Sequence, residues 1–406
     1  MLIDVSHTCH TRARTGVQRV VRSLLAALGD TATPITHDPH AATWRPLAAW
    51  ERTNLAATSA AAKRGAQWPL VARLRGRLSR FRKSGSGLSA LSSQLLSVPS
   101  LNSQLSTLNY LAPLLVPEIF SPTTAAALPA LFAAVTGPRV ALFHDAIALK
   151  LPNLTPVKTV ARFPAYLHEL LAFDGIAAVS DDSRDSLLAY WRWLGAKDTP
   201  PVETIPLGIE PPCSTPPATS APAPAPVVLC VASLEGRKNH LALLDACEAL
   251  WQRGLRFELH LVGLAHPQTG AAALARVRAL QSAGRSLRYD GPVSDAALEA
   301  AYARCTFTVY PSLLEGFGLP VLESLAHHKP CLCSAHGALG ESARGGGTVT
   351  LDRVDAPSLA AALERLLTLP AELVRLAAEA QTRPLRTWRD YAADLTAWLR
   401  TLSQRN

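Results

Sequence analysis

Two carboxylates eight positions apart bracket a glycine turn in Glu315-Gly316-Phe317-Gly318-Leu319-Pro320-Val321-Leu322-Glu323. Pro320 suits the first helical position, where no backbone N–H is needed, so a helix is expected there with Glu323 in its first turn. The amides around Gly318 and Leu319 then face an anion, and Gly316 and Gly318 let backbone approach a ligand closely. Carboxylates beside an anion repel it unless they hold something else. Sugar and ribose hydroxyls are the natural partners, because one carboxylate can grip a vicinal diol with both oxygens. The neighbouring cations Arg237-Lys238 match a nucleotide diphosphate, whose charge grows as a glycosidic bond breaks. Gly16 follows the first strand and would bring a second backbone turn to the phosphates. His144 ends another strand, where its ring can exchange a hydrogen bond with a bound sugar.

Each feature has a plainer reading. Glu315 and Glu323 could be solvated charge at a helix start, or a glycosidase acid and nucleophile. Their place among glycines after a buried strand opposes the first, and the Arg237-Lys238 loop opposes the second. Alone, Arg237-Lys238 would be a solvated loop, and His144 fits a strand-end structural bond as well as a site role. His327-His328 reads as structural, since adjacent helical residues point apart. Cys331 and Cys333 read as small buried hydrophobes on one strand face, Gly345-Gly346-Gly347 as a flexible surface turn, and Glu341 as a helix cap.

The positioning elements are short apolar runs alternating with amphipathic segments, which predicts an α/β chain with two parallel, doubly wound sheets. Strands are expected at 1–6, Val140–Phe143, Ile176–Val179, Val227–Val231, Leu259–Gly263 and Thr306–Tyr310. A helix capped by Thr15 should follow the first strand. Asp181-Asp182-Ser183 should cap another carrying Leu187, Leu188, Trp191 and Leu194, and Leu241, Leu243, Leu244, Ala246 and Leu250 should line a third. The candidate residues fall just after strands, where such sheets form their ligand crevice. Residues 211–226, mostly Pro, Ala, Ser and Thr, read as an extended linker. The expected division is 1–210 with a basic insertion about 52–105, the linker 211–226, 227–385, and a terminal helix in 386–406.

The 406 residues suit two domains, and 48% hydrophobic against 17% charged residues suffices for two cores. Seven scattered cysteines argue against a disulfide framework. The start carries no basic leader with an apolar run, and no stretch approaches a membrane span, so the expected location is cytoplasmic. The excess of 40 Lys+Arg over 31 Asp+Glu favours anionic partners. Lys63 to Lys83 holds only basic charges, with Leu70, Val71, Leu74, Leu78 and Phe81 at helical spacing. That pattern fits either an interfacial helix on the inner face of an anionic membrane or a helix packed on the first half with a solvated basic face. Nucleic acid is disfavoured, because no stacking aromatics interleave the basic run.

In these same segments the chain resembles the family 4 retaining glycosyltransferases of the GT-B fold. The resemblance runs through Thr15 to Arg22, Phe143 to Ile147, Val179 to Ser183, Ile205 to Ile209, Glu235 to His240, Tyr310 to Glu323, and Glu341. It implies two Rossmann-like domains facing a cleft, the donor in the second, the acceptor in the first, and a final helix, Trp388 to Leu402, returning to the first. By position, Arg237 and Lys238 would hold the donor β-phosphate, Glu323 the ribose and Glu315 the sugar. Gly318 and Leu319 would supply amides, with His144 near sugar and acceptor. The implied reaction is retaining transfer from a nucleotide sugar to a glycan or lipid-linked glycan, without metal or cofactor, as in mannosyl- or rhamnosyltransferases of bacterial surface polysaccharide assembly. Consistently, no Asp-x-Asp occurs in the chain. Where many relatives have Gly-Gly this chain has Thr15-Gly16, and where some carry an arginine before the Arg-Lys pair it has Ser233. The other readings are an epimerase or phosphorylase on a similar fold and a non-catalytic sugar-binding relative.

Overall fold

The computed structural model describes residues 1–12, 16–57, 68–70, 72–74, 112–210 and 225–404. Thr15, residues 211–224 of the 211–226 linker and most of the basic run 63–83 therefore lie outside the described residues; within that run, Leu70 and Leu74 are exposed.

The first sheet is built from β1 (Leu2–Asp4), β2 (Thr33–Asp38), β3 (Thr43–Pro46), β4 (Leu114–Val116), β5 (Arg139–Phe143), β6 (Gly175–Ala178) and β7 (Val202–Thr204), in the order β3-β2-β1-β4-β5-β6-β7. All its pairings are parallel except β2 with β3. The second contains β8 (Val227–Val231), β9 (Glu258–Val262), β10 (Leu287–Tyr289), β11 (Phe307–Tyr310), β12 (Cys331–Ser334) and β13 (Thr348–Leu351), in the order β10-β9-β8-β11-β12-β13, wholly parallel. In each, the order reverses beside the first strand, between β1 and β4 and between β8 and β11. Those two switch points are the crevices where such sheets bind ligands. Continuous apolar runs such as Val227-Val228-Leu229-Cys230 are buried, as strands covered on both faces must be.

Several local expectations shift. Ser180, not the following Asp181-Asp182-Ser183, caps helix Asp181–Leu194, its hydroxyl accepting from the Ser183 amide at 3.1 Å. Leu187 and Trp191 of that helix are buried, while Leu194 is exposed. In helix His240–Gln252 the buried face takes Leu243, Leu244, Ala246 and Leu250 and leaves Leu241 outside. Gly345-Gly346-Gly347 is no free surface turn. All three have positive φ, Arg383 donates to the Gly346 carbonyl and Glu379 accepts from the Gly347 amide.

The final helix, Trp388–Ser403, packs on helix Gly16–Leu28 of the first half. Tyr391, Leu395 and Leu399 share a core cluster with Val20, Val21 and Leu24. Chain crossing back from the second sheet is held at Gly208, where a Cβ would lie 2.3 Å from the Thr387 carbonyl oxygen. Only glycine lets the two backbones meet there, joined by the Ile209 amide donating to Arg386 at 2.9 Å.

Beneath the first switch point, Asp4 and Glu118 are buried together. Burial, then the Glu118 charge, pushes the Asp4 carboxyl up to about 7. Burial likewise raises Glu118 to about 7, against hydrogen bonds from Thr8 and His7. Both folded values exceed the ordinary carboxylate range, so their favourable contribution is present at low pH and lost as pH rises through about 7. Asp4→Asn keeps an acceptor for the Ser6 amide, 2.9 Å away. It should raise the melting temperature at pH 8 by a few degrees and leave it nearly unchanged at pH 4. Equal shifts at both pH values would exclude this coupling.

Candidate active site

The second switch point assembles its charges from the loops after β8 and β11. After β8 the chain makes a short 3-10 turn, Gly236–Lys238, closed by Asn239 in the left-handed region at φ 57°. Asn239 tolerates that conformation and donates from its amide to the Val354 carbonyl at 2.6 Å and the Pro311 carbonyl at 3.3 Å. The Leu313 amide donates to the Arg237 carbonyl at 2.9 Å, which sews the two loops together.

This places Glu315 between the two cations. Lys238 Nζ lies 2.5 Å from Oε1, and Arg237 Nη1 lies 2.7 Å from Oε2. Burial would raise the Glu315 carboxyl, but Lys238 and Arg237 override it and hold it down at about 2. Burial lowers the Lys238 ammonium despite Glu315. Burial also opposes the charged form of Arg237, yet Glu315 and Glu235 raise it further. Tyr310, at the end of β11, accepts from Lys238 Nζ, and its ring centroid lies 4.8 Å from that nitrogen. Glu235 also lies 3.5 Å from Arg237 Nε, so the two cations stand between two carboxylates, with Glu315 touching both cations.

The chain then turns through Gly316 and Gly318 into helix Leu319–Ala326. Gly318, at φ 112°, is the residue before the helix, and a side chain there would be strained. The amides of the first helical turn have no partner within the helix, so Gly318 and Leu319 open it toward the crevice. Glu323 falls in the second turn, one turn later than expected, because the helix begins before Pro320. It is engaged by Arg19 on Oε1 and by the Tyr302 hydroxyl on Oε2 at 3.3 Å. Tyr302, in helix Asp295–Arg304, stacks on His327 with ring centroids 4.4 Å apart.

The first half meets this turn directly. The hydroxyls of Ser180 and Ser183 donate to the Gly316 carbonyl at 2.7 and 3.2 Å, and Ser183 also donates to the His144 carbonyl at 2.9 Å. A Cβ on Gly316 would lie 2.1 Å from that same His144 oxygen. The His144 ring is buried and its Nε2 lies 2.7 Å from the Pro117 carbonyl. A carbonyl only accepts, so Nε2 carries the proton, and burial lowers the ring's basicity. Glu341 is a cap, but of a helix in the other half: its carboxylate accepts from the Asp181 and Asp182 amides at 2.9 and 2.8 Å.

Arg237, Lys238 and Glu315 are thus brought into one cluster, with Gly316 to Leu319 beside it, His144 joined through its backbone, and Gly16 opening the helix that carries Arg19. Reading the sequence missed Arg19, Tyr302 and the Tyr310 hydroxyl and ring that receive Lys238. Each lies outside the glycine turn and the Arg-Lys pair, and no spacing marks it. Among the described residues, Cys9, His10 and Glu51 place potential metal-ligand atoms within 4.8 Å of one another. The Glu51 oxygens there are taken by Arg45 at 2.6 and 2.8 Å and by His10 at 2.9 Å.

With this geometry in view, residues 225–369 match the family described as Glycosyl transferases group 1. They form a group 1 glycosyl transferase domain. The chain is homologous to the serotype-specific mannosyltransferase WbdA of Escherichia coli, at 26% identity over 348 residues, covering 82% of this chain and 38% of that protein. It is 30% identical over 224 residues to O-antigen chain mannosyltransferase B of the same organism, covering 52% of this chain and 56% of that one. The chain thus spans about two fifths of the first relative and just over half of the second. Sucrose-phosphate synthase from Thermosynechococcus elongatus shares the fold with a TM-score of 0.67 and 18% identity, over 100% of this chain and 99% of that one. Anabaena HepE, solved with UDP and glucose, does so with 0.62 and 14%, over 98% and 99%. The two sheets are a GT-B fold, and the group 1 domain holds Arg237, Lys238, Glu315 and Glu323. No helix among the described residues is long and apolar enough to cross a membrane.

Proposed function

We propose that this chain is a retaining, metal-independent glycosyltransferase that moves a hexose or deoxyhexose from a nucleotide diphosphate sugar to a hydroxyl of a glycan or lipid-linked glycan. The observation that carries the reading is the buried Arg237–Glu315–Lys238 cluster at the β8/β11 switch point, beside the open amides of helix Leu319–Ala326. The GT-B fold and the group 1 domain support it. The names of the two Escherichia coli relatives favour mannose among hexoses.

In this reading the bond between the sugar's anomeric carbon and the diphosphate breaks, and its electron pair goes to the phosphate oxygen. Arg237, Lys238 and the helix amides stabilise the charge that develops there, as preorganised donors do in a site closed to water. The acceptor hydroxyl approaches on the same face, its oxygen bonds to the anomeric carbon, and its proton passes to the departing phosphate oxygen. Glu315 keeps both cations charged and aimed, and contacts the sugar with its remaining lone pairs. Glu323 addresses the ribose, and His144 lines the first-half wall near sugar and acceptor.

A thermal-shift panel of GDP, UDP, dTDP and ADP tests the donor site. One of these should raise the melting temperature with EDTA present, by an amount that grows with ligand concentration. No stabilisation by any of them, or stabilisation only with added divalent cation, would sink the reading.

A further inference from the structure

Glu323 is engaged from both halves of the molecule: Arg19 of helix Gly16–Leu28 holds one oxygen, and Tyr302 of helix Asp295–Arg304 holds the other. A ribose diol can grip that carboxylate through both oxygens, so ribose and Arg19 address the same group. Arg19 sits near the N-terminal end of its helix, and Glu323 lies in the second turn of helix Leu319–Ala326. The Arg19 side chain is 36% exposed, so it can change partner without crossing packed core. Once displaced, it needs an anion, and the diphosphate is the one that arrives with the ribose. An arginine forms bidentate, charge-assisted bonds with phosphate more readily than any other side chain.

We propose that Arg19 is a diphosphate-binding residue of the donor site, supplied by the first half and exchanged from Glu323 to the nucleotide when the ribose takes that carboxylate. The inference rests on the donor reading above.

Calorimetry on the full chain tests it, using the nucleoside diphosphate selected by the thermal-shift panel and the matching nucleoside. Arg19→Ala should weaken diphosphate binding about tenfold or more, the weight of a charge-assisted bond. Nucleoside affinity should stay unchanged or improve, because Glu323 loses a competitor. Arg19→Lys should restore most of the diphosphate affinity, and melting curves confirm that both variants fold. Equal weakening of nucleoside and diphosphate would make Arg19 only an orienting group for Glu323 and overturn the proposal. So would undiminished diphosphate binding by Arg19→Ala. Failure of the underlying reading has a different signature: wild-type protein binding no diphosphate, or Lys238→Ala binding it as well as wild type.

Discussion

Replacing Lys238 with alanine is expected to slow sugar transfer by about 10²- to 10³-fold, the range seen when one preorganised donor to a developing oxyanion is removed. The ammonium is buried, lies 2.5 Å from Glu315 and is braced by Tyr310, so solvent cannot stand in for it. The same change leaves Glu315 with one cation. Breaking a buried pair costs about 3–5 kcal/mol, so the variant should also unfold at lower urea concentration at pH 7. The sign of its pH dependence follows from Glu315. Its carboxyl is held at about 2, below its unfolded value, so its contribution is present at neutral pH and lost as pH falls through about 2. Without Lys238 that loss should begin at a higher pH. Initial rates on the donor chosen by nucleotide binding, with urea unfolding at pH 7 and pH 4, check both parts. A transfer rate within threefold of wild type would remove Lys238 from the chemistry.

Gly316→Ala should be nearly as damaging for a steric reason. Its new Cβ would sit 2.1 Å from the His144 carbonyl oxygen, 3.0 Å from the His144 carbonyl carbon and 3.1 Å from the Asp145 Cβ. The first two are backbone atoms at the end of β5 and cannot swing aside. The halves must part, and the Ser180 and Ser183 bonds to the Gly316 carbonyl go with them. Overpacking of this kind costs about 1–3 kcal/mol, and a misplacement of about 1 Å at the reacting groups can cost about 100-fold in rate. Arg237, Lys238 and Glu323 all belong to the second half, so nucleotide affinity should fall only by the roughly tenfold that the Arg19 contact supplies, while kcat collapses further. Loss of nucleotide binding in parallel with kcat would locate the damage within the second half instead.

Strands β1, β5, β6, β8, β9 and β11 and the Arg-Lys and Glu-Gly motifs were legible along the chain because they obey local rules, while β2, β3, β4, β7, β10 and β13 were not foreseen. A strand covered on both faces is a run of apolar residues, and a glycine turn into a helix with proline near its start is written in consecutive positions. Helix ends and faces were less legible. Gly318 adopts its positive φ and starts the helix before Pro320, which moves Glu323 into the second turn. Leu241 and Leu194 look apolar in the sequence, yet the helices that carry them are packed on one side only. Burial depends on what lies opposite, and spacing does not report that.

The chemistry of the site divides in the same way. Residue type already said that Arg237, Lys238, Glu315 and Glu323 could serve a diphosphate and hydroxyls, since charge and hydrogen-bonding capacity belong to the side chain. Pairing belongs to the fold. That Glu315 joins both cations became visible only once β8 and β11 lay side by side, and that Glu341 caps a helix in the other half and Arg19 reaches Glu323 across 304 positions of sequence only once the two halves met. Such contacts join distant stretches of chain, and no local pattern encodes a partner that distant packing alone brings near.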